Sequence, residues 1–277
     1  GKPIAEELTQ LDVAVLSQGI KETENYRLAK AYFDERIAGN ETDSNLIFDY
    51  KPDQDAGNAP AGRHYLNLEG RISAKETERF AAGEGITENT LFLGAFAYAL
   101  AKYTGQKESM FCAVNNGRHS TAVKSTMGML VRTLPVYTAI DEEKPVADYL
   151  RQVQKDFFET MRHDCFPFGE LYNNYGVKAD IRFVYQAETL SKVEMGGVNI
   201  AMDALETGAA QSIMTVHVFK KNGSYELFLE YRKDLYREET IESFGNMLVQ
   251  ILEEFLTQDC LKDISLISAS ELPRLES

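Results

Sequence analysis

Apolar positions recur at helical spacing in several stretches of the chain. In Glu24–Ala38, Tyr26, Ala29, Phe33 and Ile37 form one stripe, and Gly39–Asn40 supplies a stop. Pro145–Arg162 sets Val146, Tyr149, Leu150, Val153, Phe157 and Met161 on one face. Glu238–Leu256 does the same with Ile241, Phe244, Leu248, Ile251, Leu252 and Phe255. Thr90–Tyr103 is apolar on nearly every side, which predicts a helix buried all round and ended by Gly105. Ser73–Ala82 predicts a shorter helix, with Ser73 as N-cap and Glu76 completing a capping box.

Shorter runs read as strands. His64–Glu69 alternates around Leu66 and Leu68, and Met110–Val114 suits an inner strand. Leu130–Ile140 is rich in Val, Thr and Tyr, and its Pro135 requires an edge, a bulge or a break. Ile181–Gln186, Val198–Met202, Ser212–Phe219 and Tyr225–Arg232 follow, and Asn222–Gly223 between the last two is a hairpin turn signal. Asn40–Gly62 is polar and reads as a long surface connection. There is no internal repeat. The element order is not a regular βαβα alternation, and late hairpins imply a mixed sheet, so the fold class is α/β with a mixed sheet flanked by helices.

A length of 277 residues allows one large domain or two small ones. Apolar residues make up 44%, with 15 Phe and 14 Tyr, which is enough for a substantial core. The charge balance changes the picture more. With 29 Lys and Arg against 43 Asp and Glu, the net charge of −14 disfavours nucleic acid and an anionic lipid surface as partners. The longest apolar run, Leu91–Ala101, is far short of a membrane span. Gly1–Leu16 carries Glu6, Glu7 and Asp12 where a secretory signal needs apolar residues. Cys112, Cys165 and Cys260 are far apart and odd in number, which predicts reduced thiols and a cytoplasmic location.

Familiar catalytic patterns are missing: no G-x-S-x-G elbow, P-loop, G-x-G-x-x-G or H-E-x-x-H, and no metal pattern. His64, His119, His163 and His217 are scattered. His64 and His217 read as half-buried strand residues, His119 as solvated, and His163 as a helix-terminal cation. His163, Asp164 and Cys165 invite a Cys/His reading. A nucleophile and base two residues apart at a helix end rarely align, so Phe166-Pro167-Phe168 is read as a packed corner.

Three segments in order give the chain a family likeness. Thr87–Gly128 contains a buried helix ending in Tyr103–Gln106, then a strand, then the turn Asn116–Arg118. Met127–Ile140, "MGMLVRTLPVYTAI", and Leu150–Gly176, with its His163–Phe168 corner, follow. Together they resemble the C-terminal lobe of nonribosomal peptide synthetase condensation domains, with "YTGQ", "GR", "GxFxNTLP" and "HQDxPFE"-like pieces. Ile181–Ala187, Tyr225–Leu235 and Leu266–Pro273 extend the likeness, and Glu24–Gly39 matches the helix at the junction between lobes. Arg132 stands where the family usually has Asn, Asp164 and Cys165 replace "QD", and Gly169 displaces an acidic residue.

The resemblance implies one lobe of a chloramphenicol acetyltransferase-like fold. Residues 1–23 would be an entry segment and 260–277 a linker toward a following domain. It implies amide formation between a carrier-bound donor thioester and an acceptor amine. The HHxxxDG motif belongs to the N-terminal lobe, and this chain has no adjacent histidines, so the isolated chain is expected to hold no catalytic residue and to be inactive. No cofactor or metal is expected, only the phosphopantetheine arm as substrate tether. Expected partners are the N-terminal lobe, peptidyl carrier proteins and an adjacent adenylation domain, with a possible dimer through the exposed inter-lobe face. The alternatives are a non-catalytic docking module and, more weakly, a stand-alone acyltransferase.

By the same resemblance, Arg118 is either a salt link to the Asp of the other lobe's motif or a solvated turn arginine. Met127, Gly128, Met129, Arg132 and Thr133 would line the substrate tunnel, with two core methionines as the alternative. Gln186 would present its amide to the reacting carbonyl or be a plain strand-end residue. Glu188–Gln211 would cross to the other lobe or be an ordinary hairpin and loop.

Overall fold

The computed structural model describes residues 5–39, 45–52, 59–118, 120–187, 193–200, 208–221 and 223–267. Among them the chain runs α1 (Gln10–Gly19), α2 (Glu24–Arg36), β1 (Ala61–Leu66), α3 (Ala74–Glu84), α4 (Glu88–Thr104), β2 (Glu108–Asn115) and β3 (Arg132–Ala139). It continues as α5 (Val146–Arg162), α6 (Phe168–Tyr175), β4 (Ile181–Gln186), β5 (Val193–Met195), β6 (Val198–Ile200), β7 (Met214–Lys221), β8 (Ser224–Arg232) and α7 (Glu238–Phe255).

Six of the strands form one sheet in the order β1-β8-β7-β4-β2-β3, and β5 and β6 pair with each other. β4 runs parallel to both β2 and β7, and the other pairs are antiparallel, which is the mixed sheet expected from the late hairpins. β3 lies at the edge, where Pro135 removes no needed ladder bond. Alternation along β2 feeds two cores. Phe111 and Ala113 join the larger one with α4, α5 and α7, while Met110 and Cys112 join a smaller one under α2 and α6. In α4 every residue from Thr90 to Ala101 is buried, as its unbroken apolarity requires, and Gly105 caps it. No described helix is long and apolar enough to cross a membrane.

The structure corrects several expectations. Ser73 precedes α3, but its side chain makes no capping bond, so no capping box forms. The connection after α2 is not wholly at the surface. Leu46 is buried, and the Tyr236 hydroxyl donates to its carbonyl at 3.1 Å. Chain from Cys260 is not yet linker: Leu261 is fully buried, and its carbonyl accepts from the buried Tyr98 hydroxyl at 3.1 Å. Helices α1 and α6 were not anticipated. α1 is set by Thr9 and Asp12, whose side chains cap each other's backbone amides. α6 begins directly after Pro167, which makes the expected packed corner a helix start, with Phe166 buried. His119, Asn222, and residues 188–192 and 201–207 of the Glu188–Gln211 stretch lie outside the described residues.

Candidate functional site

Most positions singled out in the sequence gather where β2 and β4 end and β3 begins. Asn115 pairs with Arg132, and Val114 pairs with both Thr133 and Val184. Gln186 lies two residues beyond Val184, so it shares a sheet face with Thr133, with β2 between their strands. Arg132 takes the opposite face.

The loop joining β2 to β3 is held by its own polar groups. The Asn115 side-chain oxygen accepts from the Gly117 amide at 2.8 Å, and that of Asn116 accepts from the Arg118 amide at 3.0 Å. Gly117 has φ +67°, and a Cβ there would sit 1.9 Å from the Leu130 carbonyl oxygen. Gly117→Ala is therefore expected to lower stability by about 1–2 kcal/mol, read as a fall in melting temperature. An unchanged melt would show that the loop shifts freely.

Arg118 is half-buried, and among the described residues it bonds backbone carbonyls rather than a carboxylate. One guanidinium nitrogen donates to the carbonyls of Val123 (2.9 Å) and Thr126 (2.8 Å), and the other to Gly128 (3.2 Å). Its planar fork gathers the loop and fixes the path of Met127–Thr133. Met127 and Met129 are not core residues: they are 83% and 77% exposed, and Val131 is also exposed, while Thr126 and Leu130 are buried. The space that Gly128 leaves is taken by this chain's own Gln10, whose Oε1 lies 2.0 Å from where a Cβ would be.

That contact ties α1 to the loop. The Thr126 hydroxyl donates to the Leu8 carbonyl at 2.5 Å, and the Met127 amide donates to Glu6 at 2.7 Å. α1 buries none of its residues, and Leu11 (74%), Val15 and Leu16 are exposed. The start of α1 is thus tied to the loop, and both carry exposed apolar side chains. Beside them a cleft of about 360 Å³ opens between the end of α1, the start of β3 and the Asp164–Phe168 corner, lined in part by Arg132 and Thr133.

The described histidines are elsewhere. The His163 ring stacks on Tyr32 at 4.3 Å, with Nδ1 2.8 Å from the Glu159 carbonyl. His64 sits on β1, an edge strand. His217 sits on β7, stacked on Phe228 at 4.6 Å, and burial, aided by the charge of Arg63, pushes its imidazole down to about 4. Cys112 is buried, which pushes its thiol up to about 12 and makes it a poor nucleophile. Among the described residues no group of His, Cys, Asp and Glu is arranged to hold a metal ion.

Sequence reasoning missed a polar cluster at the same end of the sheet. Glu88, at the start of α4, accepts from Lys220 on β7 at 2.9 Å, from Tyr185 on β4 at 3.3 Å and from the Tyr225 hydroxyl on β8. Lys220 also bonds Glu78 of α3 at 2.6 Å. An acidic residue opening a helix was the one local signal. Its partners lie about a hundred residues away or more, and no pattern in the sequence links them.

Solved structures with this arrangement, which include condensation domains and an X-domain, share the chloramphenicol acetyltransferase-like fold. The X-domain in a "Complex of the X-domain and OxyB from Teicoplanin Biosynthesis" superposes with a TM-score of 0.77 at 17% identity, over 96% of this chain and 62% of that one. The "First condensation domain of the calcium-dependent antibiotic synthetase", in complex with a substrate analogue, gives 0.74 at 15% identity, over 96% and 59%. The Condensation domain family model matches residues 1–272, and the chain belongs to that family. Among curated proteins, tyrocidine synthase 3 of Brevibacillus parabrevis is 24% identical over 274 residues, 95% of this chain and 4% of that protein. Bacitracin synthase 3 of Bacillus licheniformis is 25% identical over 220 residues, 76% of this chain and 3% of that protein. The chain thus spans a few per cent of the length of these synthetases and about three-fifths of the solved domains.

Proposed function

We propose that the chain is the C-terminal lobe of a nonribosomal peptide synthetase condensation domain. Joined to its N-terminal lobe, it forms an amide between a carrier-bound donor thioester and an acceptor amine. The observation that carries this reading is the exposed apolar strip of Leu11, Val15 and Leu16 beside Met127, Met129 and Val131, at the sheet end where Thr133 and Gln186 also lie. Several exposed large apolar side chains on one helix and on the loop tied to it mark a surface made to be covered. Loop and helix would form one wall of the chamber, and the N-terminal lobe with its HHxxxDG motif the other.

In the reaction, the acceptor nitrogen attacks the thioester carbonyl, an oxyanion forms and collapses, and the pantetheine thiolate leaves. The amine proton passes to a base of the other lobe and then to the thiolate. This lobe contributes orientation. The apolar strip excludes water along the arm, and Thr133 and Gln186 offer hydrogen bonds near the reacting group. Peptidyl carrier proteins and an adenylation domain are the partners this reading requires, and a cytoplasmic location follows from it.

The test is amide formation from donor- and acceptor-loaded carrier proteins. Product is expected from the chain joined to its own N-terminal lobe and not from the chain alone. Product from the chain alone would remove the half-site reading. No product from the joined protein, with carrier binding intact, would leave a docking module. In the joined protein Arg118→Ala is expected to lower the rate about 10-fold by releasing the loop, and Arg118→Lys to recover little, because an ammonium cannot span three carbonyls.

A further inference from the structure

We infer that Arg132 selects a substrate that carries a carboxylate, a specificity that rests on the condensation reading above. Arg132 is half-buried and lines the 360 Å³ cleft, yet among the described residues its guanidinium makes no hydrogen bond or ion pair. Comparable arginines in this protein are satisfied. Arg118 holds three carbonyls, Arg182 holds those of Ala179 and Gln211, and Arg71 pairs with Glu253. A cation taken partly out of water without a partner is costly. In a chain with 43 acidic residues against 29 basic ones, a partner carboxylate would be easy to supply from within.

The surroundings define the group that fits. The aliphatic stem of Arg132 passes over Gly117, where a Cβ would come within 3.4 Å of the Arg132 Cγ. Ile20, Leu134, Phe166 and Phe168 line the cleft with apolar surface, and the Thr133 hydroxyl adds a polar group. The volume accommodates a short acyl chain. A single planar guanidinium matches the two oxygens of a carboxylate. Asp164 also lines the cleft and repels either anion, a doubly charged phosphate more strongly than a singly charged carboxylate. The occupant is therefore a short acyl group ending in a carboxylate, such as the side chain of an acidic aminoacyl unit.

Binding to the chain itself tests this without catalysis. Glutaryl N-acetylcysteamine thioester, its uncharged butyryl counterpart, phosphopantetheine and pantetheine are titrated by calorimetry. The glutaryl thioester is expected to bind about 10-fold more tightly than the butyryl one. Arg132→Gln should erase that difference with an unchanged melting temperature, and Arg132→Lys should keep part of it. Equal affinities, no glutaryl binding, or a preference that survives in Arg132→Gln would overturn the inference. So would an Arg132-dependent preference for phosphopantetheine over pantetheine without one for glutaryl, which would place the arm's phosphate there instead. In the joined protein, amide formation from uncharged substrates without carboxylate selection would sink this inference alone. Selective binding without amide formation would sink only the proposed reaction.

Discussion

Lys220→Ala is expected to destabilise the protein by about 3 kcal/mol near neutral pH. Lys220 bridges Glu78 of α3 and Glu88 of α4 from β7, and both Lys220 and Glu88 are mostly shielded from water. Removing the ammonium leaves Glu88 half-buried with only the Tyr185 and Tyr225 hydroxyls to support its charge. Burial alone would raise the Glu88 carboxyl, but the bonds from Tyr225 and Lys220 outweigh it and hold it below the usual carboxylate range. The unfolded chain therefore takes up the proton first as the pH falls. The cluster's stabilisation is present above the ordinary carboxylate pKa and is lost as the pH drops through the depressed folded value. Denaturant melts of wild type, Lys220→Ala and Glu88→Gln across that acidic range check both points. Glu88→Gln should be less stable at neutral pH and should lose less on acidification. A Lys220→Ala protein within half a kcal/mol or so of wild type would show that the cluster is merely tolerated.

Acid should act through His217 as well, with the sign again set by the folded state. The ring stacks on Phe228 at 4.6 Å with Phe219 beside both at 6.0 and 5.7 Å, and its Nε2 is buried with no hydrogen-bond partner among the described residues. Burial first, and then the positive charge of Arg63, lower its pKa from 6.5 to about 4. Arg63 is itself paired with Glu230 at 3.1 Å, so that carboxylate does little for the imidazole. Between those two values the unfolded chain binds a proton that the folded chain refuses. Stability is then full above the ordinary histidine pKa and falls as the pH drops toward about 4. The loss should reach about 2–3 kcal/mol, somewhat less than the full shift implies because the ring is partly open to solvent. His217→Phe should remove this part of the acid sensitivity. It should cost little at neutral pH, because an aromatic ring replaces an unsatisfied nitrogen in an aromatic stack. Parallel loss of stability in both proteins from pH 6.5 down to about 4 would show that the imidazole titrates normally.

What could be read in the sequence follows from where each signal resides. Helices α4, α5 and α7 and strand β4 were legible because burial imposes a period on their own residues. α1 was not legible from periodicity, because none of its residues is buried and Leu11, Val15 and Leu16 face outward, although Thr9 and Asp12 offered a capping signal. α6 was obscured by the proline before it and by Asn173 and Asn174 within it, which locally favour turns. At the site, the positions of Arg118, Met127–Thr133 and Gln186 came from the order of motifs. Their partners did not, because backbone carbonyls and Gln10 have no signature in sequence. Glu88 and Lys220 are 132 residues apart, and only the folded sheet brings them together.

β2 meets β4 through only three residue pairs, Cys112–Val114 with Arg182–Val184, whereas β2 and β3 share eight and β4 and β7 share six. That seam is the shortest ladder in the six-stranded sheet. Arg118, Arg132 and the methionine loop lie on the β2–β3 side of it, and Gln186 with Tyr185, Lys220 and Tyr225 on the other. Phe96 of α4 packs against Phe111 on β2 and Phe183 on β4, so the helix core beneath, rather than the ladder, is what joins the two sides.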